Sequence, residues 1–167
     1  FGPNIAEIES LSQRGFNRWL SAQFATPQTL FEPEIALEHA KLAPGKNLRQ
    51  DLFFQHFWKT AATASDQLRQ RVAFALSEIF VISFDGMLDV KIRGVASYYD
   101  MLGRNSFGDF RTLLEEVTRH PMMGIYLSHL KNQKEDPSKG RVPDENFARE
   151  VMQLFSIGLH LLNPDGT

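Results

Sequence analysis

The chain has 167 residues, 43% hydrophobic and 23% charged, a balance that suits one globular domain with a sizeable core and excludes a disordered or fibrous polypeptide. Eighteen basic against 20 acidic residues leave a formal charge of −2, so no general attraction to nucleic acid or to an anionic membrane is expected. Cysteine is absent, which excludes disulfides, zinc–thiolate sites and thiol nucleophiles and leaves the compartment open.

Helical periodicity dominates from the first residues, and convincing two-residue alternation is missing. "NIAEIESLSQRG" starts at a plausible cap, Asn4 after Pro3, and places Ile5, Ile8 and Leu11 on one face before Gly15 ends it. "FNRWLSAQF" reads as a second short helix. Pro27, Pro33, Pro44 and Gly45 then break the next stretch into loops, with about one turn of helix around Ile35 to Lys41. Leu48 to Thr63 reads as a helix carrying Leu52, Phe53, Phe57 and Trp58.

Ser65 is placed to cap the following helix, Gln67 to Ser83. Its apolar residues cover most of its circumference, so it is expected to be the central, buried one. Part of it, "VAFALSEIFVI", is the nearest approach to a membrane span, but it is shorter than the about 18 apolar residues required and carries Glu78. "DGMLD" is a turn, and a helix through "VASYYDMLG" follows. Ser106 and Asp109 have capping-box spacing ahead of a helix striped with Phe110, Leu113, Leu114 and Val117. Pro121 fits the first position of a short helix. "KNQKEDPSKGR" reads as a mobile charged loop. The chain opens on Phe1 and stops at the turn "NPDGT"; we read residues 1–167 as a single all-α domain, an N-terminal piece of a longer protein.

The densest polar cluster lies in "RVPDENFAREVMQLFSIG". At 100° per residue, Phe147, Val151, Leu154, Phe155 and Gly158 share one side of a helix. Asp144 is placed as an N-cap, and Glu145 lies near the positive end of the helix dipole. Asn146 and Glu150, one turn apart at the edge of the apolar arc, are expected to be half buried. A half-buried glutamate can act as a general acid or base. It can equally be an anchor, bonded to an arginine of the helix above such as Arg69 or Arg71.

No His-Glu-x-x-His pairing occurs among His56, His120, His129 and His160, although His120, Glu150 and His160 could assemble a metal site from distant parts. Ser156 and His160 lack a nucleophile elbow. The 14 Phe, 2 Trp and 3 Tyr could form a sugar-binding platform, but their helical spacing reads as core, with Tyr98 and Tyr99 only partly buried.

Three ordered stretches, "FGPNIAEIESLSQRGFNRWLSAQF", "QLRQRVAFALSEIFVIS" and "HPMMGIYL" followed by "DENFAREVMQLFSIG", resemble the bacterial family called domain of unknown function 1800. Asp144 stands where the family usually has Asn, and Phe147 where Tyr is common. The resemblance implies a longer, exported, periplasmic or secreted protein and supplies no mechanism.

The expected fold is therefore an all-α irregular bundle of about eight helices around Gln67 to Ser83, with the Asp144 to Gly158 helix packed on it. Two functions fit: a binding or scaffold module of an exported bacterial protein, or a hydrolase-like enzyme using Glu150 as acid or base with Asn146 and Arg149 orienting a substrate. His120 and His160 are the weak metal candidates, and no cofactor is indicated. The expected partners are the C-terminal remainder of the same protein and a further protein; neither nucleic acid nor a membrane span is expected.

Overall fold

A computed structural model describes residues 5–160 together with Asn163 and Asp165. The Pro3–Asn4 start of the first helix lies outside them, as do Pro164, Gly166 and Thr167 of the terminal turn. Among the described residues the chain is all-α, with nine helices and no strand. They are α1 (Ile5–Arg14), α2 (Phe16–Ala25), α3 (Glu32–Ala40), α4 (Gln50–Thr63), α5 (Gln67–Ile79), α6 (Ile92–Arg104), α7 (Phe110–Arg119), α8 (Pro121–Tyr126) and α9 (Asn146–Met152). None is long and apolar enough to cross a membrane.

The helix at the centre is α6, not Gln67 to Ser83. Helix α6 packs against α3, α4, α5, α7 and α8. Ile92, Ala96, Met101 and Leu102 on it are 0–1% exposed, and full burial of side chains as large as Ile92, Met101 and Leu102 contributes roughly 1.5–3 kcal/mol each. Small residues bring its neighbours close: a Cβ on Gly94 would stand 2.4 Å from Met122 Sδ, and one on Gly103 would stand 2.2 Å from Gln28 Nε2. Helix α5 lies along α6 but buries only Gln67, Gln70 and Ala73, and it stops at Ile79, with Phe80 leaving the helix at φ −90°, ψ 63°. Its apolar residues are spread around the helix, so part of that surface, including Phe74 and Ile79, stays exposed.

Buried polar groups fasten these helices. Asp66, fully buried, accepts hydrogen bonds from Thr29 N–H, Thr29 Oγ1 and Gln70 Nε2 at 3.0, 2.7 and 2.9 Å. Asp100 accepts from the N–H groups of Phe31 (2.8 Å) and Glu32 (2.9 Å), where α3 begins. Ser65 does not cap α5. Asp66 occupies that position, and the Leu68 N–H donates instead to Gln23 Oε1 of α2 at 3.0 Å. Tyr98 and Tyr99 are core residues, 2% and 7% exposed, and the Tyr98 hydroxyl donates to Phe80 O at 2.8 Å.

The charged run 131–141 is tied down. Asp136 and Arg141 exchange backbone hydrogen bonds, Arg141 Nε donates to Lys134 O at 2.9 Å, and Arg141 also bonds Gln133 Oε1. Asn132 closes the segment on Asp144, donating to its carbonyl at 2.6 Å and accepting from its N–H at 3.0 Å. This clamp delivers the chain into α9.

Candidate functional site

Helix α9 starts one residue later than an Asp144 cap would have it, at Asn146, with Glu145 in the cap position. Asp144 still serves the start, since its Oδ1 accepts the Asn146 N–H at 2.9 Å. Asn146 and Glu150 are both half buried. Arg149 is turned to Glu145 across one helical turn, at 3.8 Å. The helix unwinds after Met152, and Phe155 N–H donates to Glu150 O at 2.9 Å. Phe155 then enters the core against Phe80, ring centroids 5.2 Å apart.

Glu150 has neither of its expected arginine partners. Arg69 donates to Gly103 O at 3.0 Å and lies over the Phe107 ring at 4.5 Å, and Arg71 lines a cleft beside α1 and α2. One carboxylate oxygen of Glu150, Oε2, is buried with no hydrogen-bond partner. With no pair to break, Glu150→Gln is expected to leave stability unchanged or raise it by up to about 1 kcal/mol, because an amide is less costly to bury than a charge. Urea unfolding measures this, and a loss of several kcal/mol would reinstate the anchor.

His120 and His129 serve the fold. His120 caps α8, its Nδ1 accepting the Met122 N–H at 3.3 Å, and its Nε2 stands 3.5 Å from Ser97 Oγ. Burial, then the charge of Arg104, pushes its pKa below the usual imidazole value, against the opposing pull of Glu116. With Nδ1 accepting, the ring proton sits on Nε2 and faces Ser97, the reverse of what a base activating that serine needs. His129 holds Thr118 O through Nε2 at 3.0 Å and stacks on Phe147 with centroids 4.0 Å apart. His160 is exposed, and no group of three or more His, Asp or Glu able to hold a metal occurs among the described residues, so His120, Glu150 and His160 are not assembled.

What the structure does assemble is an aromatic cavity. It lies between α4, α5 and α6, has a volume of about 560 Å3, and is walled by Phe54, Phe57, Trp58 and Phe74 with Tyr98 and Tyr99 along α6. Rings pack edge to face around it, Phe54 against Phe84 at 5.6 Å and Phe57 against Trp58 at 5.2 Å. Burial raises the pKa values of both tyrosine hydroxyls above the usual phenol range, with the charge of Asp100 adding to the rise for Tyr99. A second cleft, of about 420 Å3, opens beside it between the end of α5 and α9. Glu78 and Val81 line both, and Glu150 lines the second.

The helical spacing of these aromatics reads as core. The signal for a cavity was nevertheless present: Phe53 and Phe54, and again Phe57 and Trp58, are neighbours. Adjacent residues stand about 100° apart on a helix, so the four span an arc too wide for one packing face. Phe53 is 7% exposed, whereas Phe54 is 46% and Trp58 66% exposed.

No curated protein and no solved structure matches the chain. A family model described as "Protein of unknown function (DUF1800)" matches residues 1–163, nearly the whole length and all nine helices, and the chain belongs to that family.

Proposed function

We propose that the chain is a binding module of an exported bacterial protein, and that the aromatic cavity between α4, α5 and α6 is its recognition element. The cavity carries this reading: about 560 Å3 of largely apolar space, within the about 300–1,000 Å3 typical of small-molecule sites. The family resemblance supports the exported setting. A further polypeptide segment is proposed as a second partner, over the exposed apolar residues Met152, Leu154, Ile157 and Leu159 beside α9.

The test is a titration with Nile red, an uncharged apolar fluorophore. Saturable enhancement at one site is expected. Ser77→Phe, which puts a ring into the cavity from α5, is expected to weaken binding at least about tenfold, a loss of about 1.4 kcal/mol or more, with helical content retained. Unsaturable binding, or binding indifferent to Ser77→Phe, would remove the cavity from the proposal.

A second reading rests on the unpartnered Oε2 of Glu150 in the cleft it shares with Glu78. Here Glu150 is the general acid or base of a hydrolase-like reaction, with Asn146 and Arg149 orienting the substrate. Hydrolysis of model esters or glycosides that vanishes in Glu150→Gln, while the fold persists, would favour this reading over the first.

A further inference from the structure

The cavity's charge is one-sided. Its walls hold no lysine, arginine or histidine, and the neighbouring cleft holds none either. Glu78 is the charged residue of the cavity lining, and Glu150 joins it across Val81 in the cleft. Neither carboxylate has an ion-pair partner: the salt bridges of the described residues engage Glu32, Glu38, Asp51, Glu115, Glu116, Asp136 and Glu145 instead. On open surface, water solvates an exposed carboxylate at little cost. Glu78 stands at the lip of an aromatic hollow, where an apolar occupant would strip away part of that water and leave the charge uncompensated.

From this we infer that the cavity takes a small amphiphilic organic cation, an apolar body carrying an ammonium group. The inference rests on the binding-module reading and names the ligand class for the same site. The apolar body lies among Phe54, Phe57, Trp58 and Phe74, and the ammonium turns to Glu78 and towards Glu150. Two attractions act on the cation together. Aromatic faces present negative quadrupole density to it, strongest for tryptophan, and the carboxylate at the lip supplies a full charge that the neighbouring apolar walls screen poorly. A carboxylate ligand of the same shape meets the reverse of both. The volume, about 560 Å3, is that of a small-molecule site rather than a slot for one side chain.

Three ligands with one chain length separate the alternatives: octyltrimethylammonium, 1-octanol and octanoate, each titrated calorimetrically into the protein, the two ions below their micelle concentrations and the alcohol below its solubility limit. The ammonium is expected to bind at one site about three- to tenfold more tightly than the alcohol, and the octanoate more weakly than either. Glu78→Gln, at an exposed helix position, is expected to cut the ammonium's advantage over the alcohol at least about twofold, to what the aromatic faces alone supply, and to weaken the alcohol less. Ser77→Phe is expected to weaken ammonium and alcohol together. Equal binding of ammonium and alcohol, or an advantage undiminished by Glu78→Gln, would overturn the cation at this carboxylate while the binding module stands. Binding of none of the three would overturn both.

Discussion

Replacing Asp100 by alanine is expected to cost about 2–6 kcal/mol, the sum for leaving two buried N–H donors without an acceptor. The side chain is 3% exposed, and its two oxygens separately accept the Phe31 and Glu32 N–H groups at 2.8 and 2.9 Å. Those N–H groups belong to the start of α3 and have no carbonyl of their own helix to meet. Alanine would leave both without an acceptor, at about 1–3 kcal/mol each. Asparagine, able to accept through one oxygen only, is expected to fall between. Urea unfolding followed by circular dichroism measures all three proteins, and a loss below about 1 kcal/mol for alanine would mean that water replaces the carboxylate.

The same residue sets a pH dependence. Burial raises the Asp100 carboxyl above its ordinary pKa of 3.8, opposed by the two N–H donors and by Arg104, with Glu32 adding to the rise. A raised folded pKa means the native state holds the proton more tightly than the unfolded chain. This contribution to stability is therefore complete below the unfolded pKa and lost as pH climbs through the folded one. In Asp100→Asn that component is expected to disappear from the stability–pH curve just above the ordinary carboxylate range.

The fold class was legible because helix signals are local. Gly15 and Pro121 act where short-range chemistry puts them, Gly15 at φ 81° between α1 and α2 and Pro121 opening α8; the Ser106–Asp109 capping box does not form, because Asp109 is itself the cap, accepting Thr112 N–H at 2.9 Å, while Ser106 Oγ donates to Leu102 O. The centre of the bundle was not legible. "IRGVASYYDMLGR" is the buried helix because glycine and alanine let neighbours approach and because Asp100 and Tyr98 find backbone partners 69 and 18 residues away. No window along the chain contains such pairings. The candidate site divides in the same way. The half-burial of Asn146 and Glu150 follows from helical geometry, whereas the partners of Arg69, a carbonyl and a ring on or beyond α6, depend on how helices cross.

Phe31→Ala is the second large effect, about 3–5 kcal/mol for emptying a buried aromatic position. Phe31 is 2% exposed and joins Asp100 to the aromatic cavity. Its N–H lies on Asp100, while its ring stands 4.9 Å from Tyr99 and 5.6 Å from Phe53, both of which line the aromatic cavity. Truncation should therefore unsupport the inner wall of that cavity without touching its mouth. Phe31→Leu, which refills most of the space, is expected to recover about half of the loss. Trp58→Ala is the contrast, because Trp58 is 66% exposed: stability should stay within about 0.5 kcal/mol while Nile red binding weakens. Bound dye should in turn restore part of the stability of Phe31→Ala, since a ligand held only by the native state shifts unfolding by mass action. If dye raises the midpoint of Trp58→Ala as much as that of the unaltered protein, Trp58 contributes nothing to the cavity, and the recognition element must be sought elsewhere on the helical surface.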